Sequence, residues 1–389
     1  MTPRLTIVLP LKGRHLFTLR FLWHADRARL PYRFLIADGQ VHPALAEVLE
    51  NSAEHFPNLD IQYIRYPEDR DFSCYFAKMA DAFSRVTTPY VMLADNDDFL
   101  AFGGLERAID FLESNTDYVC SGGRVAGFSV YSGFANPSRG LRGRLDRLYD
   151  YYPAAKDVSS PSVAERVRQG GLKLWIYYAV TRTEALARVA RETADIDFTD
   201  LLVFEAYHVM RILTLGKARS DDAAVSYVRQ YGTSLYSAYK KDWIHHLLRN
   251  RFTSDVDALV ERIAAQTAVA DGSELATVAE DVRALLEGKF RQIVRANYGS
   301  LQEIKRAIRR RAPRFVTWWQ NRPRAFVGHQ RMALRRQLAN AGASQEYVTQ
   351  FVAEIATIEN VLTGASFADF IRSYRPLIGE QSEISGRQV

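Results

Sequence analysis

The first 130 residues alternate short apolar runs with segments of helical periodicity, and this alternation is the feature that most restricts the fold. Apolar runs at residues 6–9, 33–37, 61–66, 90–94 and 118–121 predict strands, and the periodic segments 17–29, 75–83 and 105–114 predict the helices between them. Strands that alternate with helices form βαβ units. The pattern therefore predicts an α/β domain with a mostly parallel sheet, flanking helices and a last strand that closes at Gly122 and Gly123.

The periodicity then changes twice. Residues 133–171 are rich in Gly, Ser, Pro, Arg and Tyr and predict an extended loop over an active site. Residues 173–181 predict a strand and 204–215 a helix that ends at Gly216. From about residue 237 onward apolar positions recur every three or four residues, as in 256–269 and 347–362, which predicts a mainly α-helical C-terminal domain. We place the boundary near residue 240, giving domains of residues 1–240 and 241–389.

Composition and charge exclude several classes of protein. Of the 389 residues, 47% are hydrophobic and 25% charged, which excludes a disordered or fibrous chain. The two cysteines, Cys74 and Cys120, are too few for a disulfide framework and predict a reducing cytoplasm. We see no signal peptide and no apolar stretch of about 18 residues, so we expect any membrane contact to be peripheral.

The C-terminal region carries most of the positive charge. Residues 289–336 hold 14 Lys and Arg against one acid, Glu303, and include Trp318 and Trp319. Cations mixed with large aromatics suit the headgroups of an anionic membrane at the inner face of the cell membrane. The alternative is a solvated helix face with its aromatics in the core. We expect no nucleic-acid partner, and a long helical domain is compatible with a homodimer.

An acidic cluster follows the apolar run 90–94. Asp95, Asp97 and Asp98 stand at a strand's carboxyl end, where open α/β sheets bind ligands. Carboxylates at this spacing suit Mg²⁺ or Mn²⁺, with phosphate oxygens in the remaining positions. The alternative is a solvated turn, because Asp and Asn favour turns.

Other catalytic signatures are missing from the sequence. The eight histidines have no zinc spacing, and the chain contains no GxSxG, Walker A or strand-linked GxGxxG motif. Zinc enzymes, serine hydrolases, P-loop proteins and Rossmann dinucleotide-binding proteins are therefore excluded.

Five segments in order resemble the GT-A glycosyltransferases of family 2. They are LTIVLP at 5–10, IADG at 36–39, the DxD-type VMLADNDDF at 91–99, FEAYHVMR at 204–211 with LGK at 215–217, and YVRQ at 227–230 with Ser234. The resemblance implies a nucleotide-sugar half at residues 1–130 and an acceptor half at 131–240. Leu11 to Arg14 and Ala37 depart from the family's usual pattern, so the base pocket is expected to differ.

The resemblance implies roles for individual residues. Asp38 would bind the nucleotide base, Asp95 and Asp97 the ribose and the metal, and Asp98 would assist the metal. Taken alone, Asp38 favours an ordinary Asp-Gly turn without a ligand, and the order of the segments along the chain favours the base-binding role. The remaining residues assigned to donor binding are Pro10, Lys12, Arg14, Lys78, Asn96 and Arg229.

An inverting transfer also needs a general base that takes the proton of the acceptor hydroxyl. Glu205 is the first choice and Asp200 the second, with Asp195 and Asp197 as further alternatives. Acids in a first helical turn also serve as caps. The predicted function is transfer of a sugar from a nucleoside-diphosphate sugar to a glycan or lipid-linked glycan in cell-surface polysaccharide synthesis. The alternatives are a nucleotidyltransferase and a non-catalytic sugar-nucleotide scaffold.

Overall fold

A computed structural model describes residues 2–131, 140–152, 156–231, 251–298 and 327–374. Nine strands are found in these ranges: β1 Leu5–Leu11, β2 Arg33–Asp38, β3 Asp60–Arg65, β4 Tyr90–Leu93, β5 Phe99–Leu100, β6 Tyr118–Tyr131, β7 Arg144–Tyr152, β8 Val180–Arg182 and β9 Lys217–Gln230. The helices of the first 231 residues are α1 His15–Arg27, α2 Pro43–Glu50, α3 Ser52–His55, α4 Phe72–Ser84, α5 Phe102–Ser114, α6 Val163–Gly170, α7 Thr183–Ile196 and α8 Leu201–Leu215. Those beyond are α9 Phe252–Asp271, α10 Leu275–Tyr298, α11 Val327–Asn340, α12 Gln345–Thr363 and α13 Ala365–Arg372.

All nine strands join one sheet in the order β3-β2-β1-β4-β8-β6-β9-β5, with β7 paired to β6. Strands β3, β2, β1 and β4 are parallel to their neighbours. The other half is mixed, because β8 is antiparallel to both β4 and β6 whereas β9 runs parallel to β6. The parallel half agrees with the predicted βαβ pattern, and the fold is the expected α/β arrangement with flanking helices.

The parallel strands are buried because they are apolar along their whole length. Ile7, Val8 and Leu9 of β1 and Leu35 of β2 are fully buried. Helices cover both faces of such a sheet, so its strands read as continuous hydrophobic runs. Consequently the first polar residue after each run, such as Asp38, marks the edge of the sheet where a site can form.

Three local predictions differ from the structure. The strand expected at 118–121 continues to Tyr131, because Gly122 and Gly123 pair with β9 instead of ending the strand. The loop expected at 133–171 contains β7 and α6, and β7 pairs with β6 in a register with two shifts, so no regular periodicity marked it as a strand. The strand expected at 173–181 is a 3-10 helix, Leu174–Tyr178, followed by the short strand β8.

The C-terminal helices return to the α/β domain. Trp23 of α1 packs against Phe370 of α13, with ring centroids 4.4 Å apart. The Tyr347 hydroxyl of α12 accepts the Val225 N–H of β9 at 2.8 Å. The domain boundary near residue 240 and the segment 299–326, with Trp318 and Trp319, lie outside the described residues. Within the described ranges, no helix is both long and apolar enough to cross a membrane.

Candidate active site

The carboxyl ends of β2, β1 and β4 meet at one edge of the sheet. In the parallel register Leu11 of β1 lies beside Asp38 of β2, and Val8 of β1 lies beside Leu93 of β4. Asp38 ends β2, and Asp95 follows β4 by two residues. Residues that the sequence separates by more than 50 positions are therefore brought to a common edge, which is the usual ligand side of such sheets.

The acidic cluster consists of Asp95, Asp97 and Asp98. One carboxylate oxygen of each lies within 4.8 Å of those of the others. Asp97 and Asp98 are buried, whereas the Asp95 side chain is 36% exposed. Burial raises the pKa of Asp95 and raises that of Asp98 well above its usual range, and the neighbouring negative charges raise both further. The cluster thus concentrates negative charge with its open side at Asp95.

Two arginines border the acidic cluster. The Arg14 Nη2 atom lies 2.9 Å from Asp97 Oδ2, and the Arg229 Nη2 atom lies 4.0 Å from Asp95 Oδ2. Arg14 occupies the left-handed backbone region with φ 58°, immediately before α1. A third guanidinium, Arg20, is fully buried beneath the cluster. Fixed guanidinium groups beside an acidic cluster suit the binding of phosphate groups.

Two tyrosines hold Asp95 and were not predicted as site residues. The Tyr178 hydroxyl donates to Asp95 Oδ2 at 2.9 Å, and the Asp95 N–H donates to the Tyr227 oxygen at 2.8 Å. The two rings stack at 4.7 Å, and the Arg229 guanidinium lies 5.0 Å from the centre of the Tyr178 ring. Tyr178 comes from the 3-10 helix that was expected to be a strand, so no spacing signal in the sequence pointed to it.

Glu205 lies in the second turn of α8 and belongs to the same electrostatic environment. The pKa of Glu205 is raised to about 7, chiefly by burial; Arg229 opposes the rise, and the negative charges of Asp95 and Asp200 contribute to it. Asp200 has a different setting, because its carboxylate caps α8 by accepting the N–H groups of Leu202 and Val203. Glu205 therefore has the protonation equilibrium that suits proton transfer near neutral pH, and Asp200 is engaged in a cap.

Asp38 and Lys78 form a second polar group at the end of β2. Asp38 accepts the Gln40 N–H at 2.9 Å and the Tyr63 hydroxyl at 2.8 Å. Lys78 donates to the Leu11 carbonyl at 3.1 Å and forms a buried ion pair with Asp69. Burial lowers the pKa of Lys78, and Asp69 opposes the shift. Asp69 was not predicted from the sequence.

Gly39 allows the backbone at the end of β2 to approach the Asp69 carboxylate closely. A Cβ atom at Gly39 would lie 2.4 Å from the Asp69 carboxylate carbon, so only glycine permits this approach. The carboxylates and the ammonium are consequently enclosed together with little free space.

The remaining residues assigned from the sequence lie around the same edge. Lys12 is exposed and Pro10 is half-buried at the end of β1. Asn96 is buried and donates to the Thr18 hydroxyl at 3.0 Å, which fixes the turn to α1. Asp195 and Asp197 end α7, and Asp197 accepts the Ser73 hydroxyl.

The acidic cluster fits a divalent cation. Its three carboxylates are hard oxygen ligands at mutual distances suited to one ion. Asp98 Oδ2 is buried and has no hydrogen-bond partner among the described residues, although Oδ1 accepts the Gln230 N–H at 2.6 Å. A buried carboxylate oxygen without a donor is a group that a cation would satisfy.

The fold and the match to a family model define the class of the protein. Residues 6–164 match the family described as Glycosyl transferase family 2. The N-terminal part of the chain is thus a GT-A glycosyltransferase domain similar to family 2, as the ordered segments predicted, and the protein is a glycosyltransferase. The match includes the acidic cluster and ends before Glu205 and Arg229.

The chain is also similar to several solved structures, at low sequence identity. The S. aureus protein TarS, residues 1–349, is 11% identical with a TM-score of 0.46, over 96% of this chain and 91% of that one. The structure of TarS 1–349 in complex with UDP-GlcNAc is 11% identical with a TM-score of 0.48, over 92% of this chain and 89% of that one. The mannosyltransferase PcManGT from Pyrobaculum calidifontis, in complex with GDP-Man and Mn²⁺, is 16% identical with a TM-score of 0.40, over 93% of this chain and 88% of that one. These TM-scores lie below 0.5, so no substrate is inferred from them. A sequence search of curated proteins found no match.

Proposed function

We propose that the protein transfers a sugar from a nucleoside-diphosphate sugar to a hydroxyl group of a glycan or lipid-linked glycan, with inversion at the anomeric carbon. The observation that carries the proposal is the placement of Asp95 between two functions. Asp95 is part of the three-carboxylate cluster, and its charge also acts on Glu205. In this proposal a cation held at Asp95 and a proton acceptor at Glu205 would act at the same edge of the sheet.

Residues 1–130 would bind the donor. Asp95, Asp97 and Asp98 would hold Mg²⁺ or Mn²⁺, which when bound neutralises charge on the leaving diphosphate. Arg229 would add a fixed positive charge beside Asp95, from which it lies 4.0 Å away. Arg14, which forms an ion pair with Asp97, would contact the same diphosphate. Asp38 at the end of β2 would contact the nucleotide base.

Glu205 would act as the general base in the acceptor half, residues 131–240. An acceptor hydroxyl that attacks the anomeric carbon must lose its proton, and an adjacent carboxylate can accept it. With a pKa of about 7, Glu205 is ionised in a large fraction of molecules at neutral pH and still binds a proton effectively. Asp200 is the weaker choice because its carboxylate is engaged in capping α8.

The cellular setting belongs to the same proposal. Synthesis of cell-surface polysaccharide at the inner face of the membrane would use the basic segment 289–336 for peripheral contact with anionic lipids. The excess of cations in this segment supports the idea. Vesicle sedimentation with phosphatidylglycerol should retain the full chain, and retention that is equal on phosphatidylcholine would contradict a charge-driven contact.

A nucleotide screen tests the donor site. Melting temperatures should be measured with each nucleoside diphosphate in the presence and absence of Mn²⁺, because a ligand that binds only the folded state raises the melting temperature. We expect one nucleotide to stabilise the protein only with metal, and Asp97→Ala to abolish the shift. Stabilisation by no nucleotide under any metal would contradict the donor site and favour a non-catalytic scaffold.

Glu205→Gln separates catalysis from donor binding. We expect kcat to fall by about 10²–10⁴-fold while the nucleotide-induced shift is retained. Donor binding and turnover both unchanged in this variant would remove Glu205 as the base. Formation of a nucleotide–sugar product from a sugar phosphate and a nucleoside triphosphate would instead identify a nucleotidyltransferase.

A further inference from the structure

Arg20 is a fully buried arginine whose guanidinium donates to three carbonyl oxygens. Its Nη2 atom donates to the carbonyl of Asp97, and its Nη1 atom donates to those of Gly140 at 3.0 Å and Leu141 at 3.1 Å. The guanidinium also lies 4.8 Å from the ring centre of Phe99. A buried charge is costly unless it is hydrogen-bonded, so these bonds hold the connected backbone segments firmly.

The second segment held by Arg20 is the strap, defined as residues 140–143. Gly140 and Gly143 have φ values of 89° and 138°, in the left-handed region that glycine adopts without strain. The Gly140 carbonyl also accepts the Gln230 side-chain amide at 2.7 Å. The backbone N–H of the same Gln230 donates to Asp98 Oδ1 at 2.6 Å. The strap therefore connects, through Arg20 and Gln230, to both buried acids of the cluster.

The far side of the strap is attached to the C-terminal helices. The Gly143 N–H donates to the Leu362 carbonyl of α12 at 2.9 Å. The Arg142 guanidinium donates to the carbonyl of Gly364, between α12 and α13, at 3.0 Å. A continuous set of hydrogen bonds thus runs from the end of α12 through the strap to the turn that bears Asp97 and Asp98.

We propose that Arg20 is a positioning residue for the acidic cluster and that the strap makes its geometry depend on the C-terminal helices. Arg20 fixes the backbone of the turn at Asp97, and Gln230 fixes the Asp98 carboxylate. Because both are bonded to Gly140, the turn keeps the spacing of its carboxylates only while α12 holds the strap. This inference deepens the proposed function and rests on the cation-binding role of the cluster.

The test uses the full chain with Arg20→Lys and Arg20→Met. Hydrogen exchange should accelerate by about tenfold or more at residues 95–98 and at Gln230, but not in β2. Mn²⁺ affinity, followed by the electron paramagnetic resonance signal of the free ion, should fall by about tenfold in Arg20→Met. Arg20→Lys should recover part of both, because an ammonium can still donate to the Asp97 carbonyl. If hydrogen exchange at residues 95–98 and the Mn²⁺ affinity are both unchanged in Arg20→Met, the proposal is overturned.

A remote variant tests the strap without touching the cluster. Arg142→Ala should accelerate hydrogen exchange at residues 95–98 by about threefold and should weaken Mn²⁺ binding by about threefold. The matched control is Glu354→Ala, which removes another contact of α12, the bond from the Gly103 N–H to Glu354 Oε1 at 3.1 Å. We expect the control to leave both readouts unchanged. Equal effects of the two variants would refute transmission through the strap.

The exchange measurement separates this proposal from the proposed function. Wild-type protein that binds no Mn²⁺ would contradict the cation site. Exchange at residues 95–98 would then still decide whether Arg20 and the strap hold the turn, because it requires no bound ion.

Discussion

The ends of β2 and β4 both carry buried acids, but their charges are balanced in different ways. At β2, Asp38 accepts a tyrosine hydroxyl and an N–H group, and Asp69 is paired with Lys78. At β4, three carboxylates lie within 4.8 Å of one another, and Asp98 Oδ2 has no donor among the described residues. The first group contains a matching cation in Lys78, whereas the second keeps three acids beside Arg14 and Arg229, and we propose that a divalent cation balances the remaining charge.

This difference separates residues that share a position in the fold. Both groups lie where ligands bind in open α/β sheets, so a position at the strand end does not by itself distinguish a structural acid from a metal ligand. The hydrogen-bond donors and cations that surround each acid do distinguish them. Four measurements can break or sharpen the comparison.

Lys78→Met should have the largest effect on stability. It leaves the Asp69 carboxylate buried without its cation, and removing one partner of a buried pair costs about 3–5 kcal/mol. Urea unfolding followed by circular dichroism measures the change, and Lys78→Met combined with Asp69→Leu should recover part of the loss. A loss below about 1 kcal/mol would show that Lys78 is not committed to Asp69 and is available to donor phosphate.

Asp98→Asn should change the free energy of unfolding in the opposite direction. In metal-free buffer it removes one of three crowded carboxylates, so the free energy of unfolding should rise, on the order of 1 kcal/mol. The same variant should weaken Mn²⁺-dependent nucleotide binding in isothermal titration calorimetry. Destabilisation without metal, as expected for Asp69→Asn in the β2 group, would mean that the two groups are equivalent.

The pH dependence of stability should follow the acids with raised pKa. Glu205 has a folded pKa of about 7 against 4.5 in the unfolded chain, so the folded state binds more protons between these values. Stability of the metal-free protein should therefore fall as pH rises from about 4.5 to 7, on the order of 1 kcal/mol for this group. Urea midpoints at pH 5 and 7.5 measure the fall, and Glu205→Gln should reduce it. An equal slope in wild type and variant would contradict the raised pKa.

Tyr63→Phe should have the smallest effect. It removes the hydroxyl that donates to Asp38 Oδ2. Because Tyr63 is half-buried, water can replace this donor, and the loss should be about 0.5 kcal/mol, the lower end for a hydrogen bond. Chemical denaturation with Tyr66→Phe as the matched control measures this loss, because Tyr66 bonds the more exposed Asp81. A greater loss in Tyr66→Phe than in Tyr63→Phe would show that Asp38 does not depend on its tyrosine.

Local patterns predicted the parallel half of the sheet but not its mixed half. The runs that became β1, β2 and β4 are continuous and apolar, and each ends in a turn or an acid. The long β6 (YVCSGGRVAGFSVY) and β7 (RLDRLYDYY) show neither a continuous apolar run nor a regular alternation, and the register between them contains shifts. Their pairing depends on contacts distant in sequence, and local periodicity cannot supply them.

The site was predicted in the same uneven way. The Asp95, Asp97 and Asp98 cluster and the possible base Glu205 stand in recognisable segments. Tyr178 and Arg20 do not, because they bond to residues 83 and 77 positions away, Asp95 and Asp97. Asp69 pairs with Lys78 nine positions further on, but it stands in none of the recognisable segments. The roles of Glu205, Arg229 and the other assigned residues remain predictions for the experiments above.

The sequence by itself determined an α/β domain with acids at its strand ends, because buried parallel strands must be apolar, and the resemblance of its ordered segments indicated a glycosyltransferase. Only the tertiary structure decided which acids are neutralised within the fold and which remain crowded. That depends on donors delivered by distant elements: Tyr63 and Lys78 reach the β2 group, whereas Arg20 and Gln230 are tied to the strap and leave Asp98 Oδ2 without a donor among the described residues. Hydrogen bonding between distant elements thus converts similar acidic strand ends into two different sites.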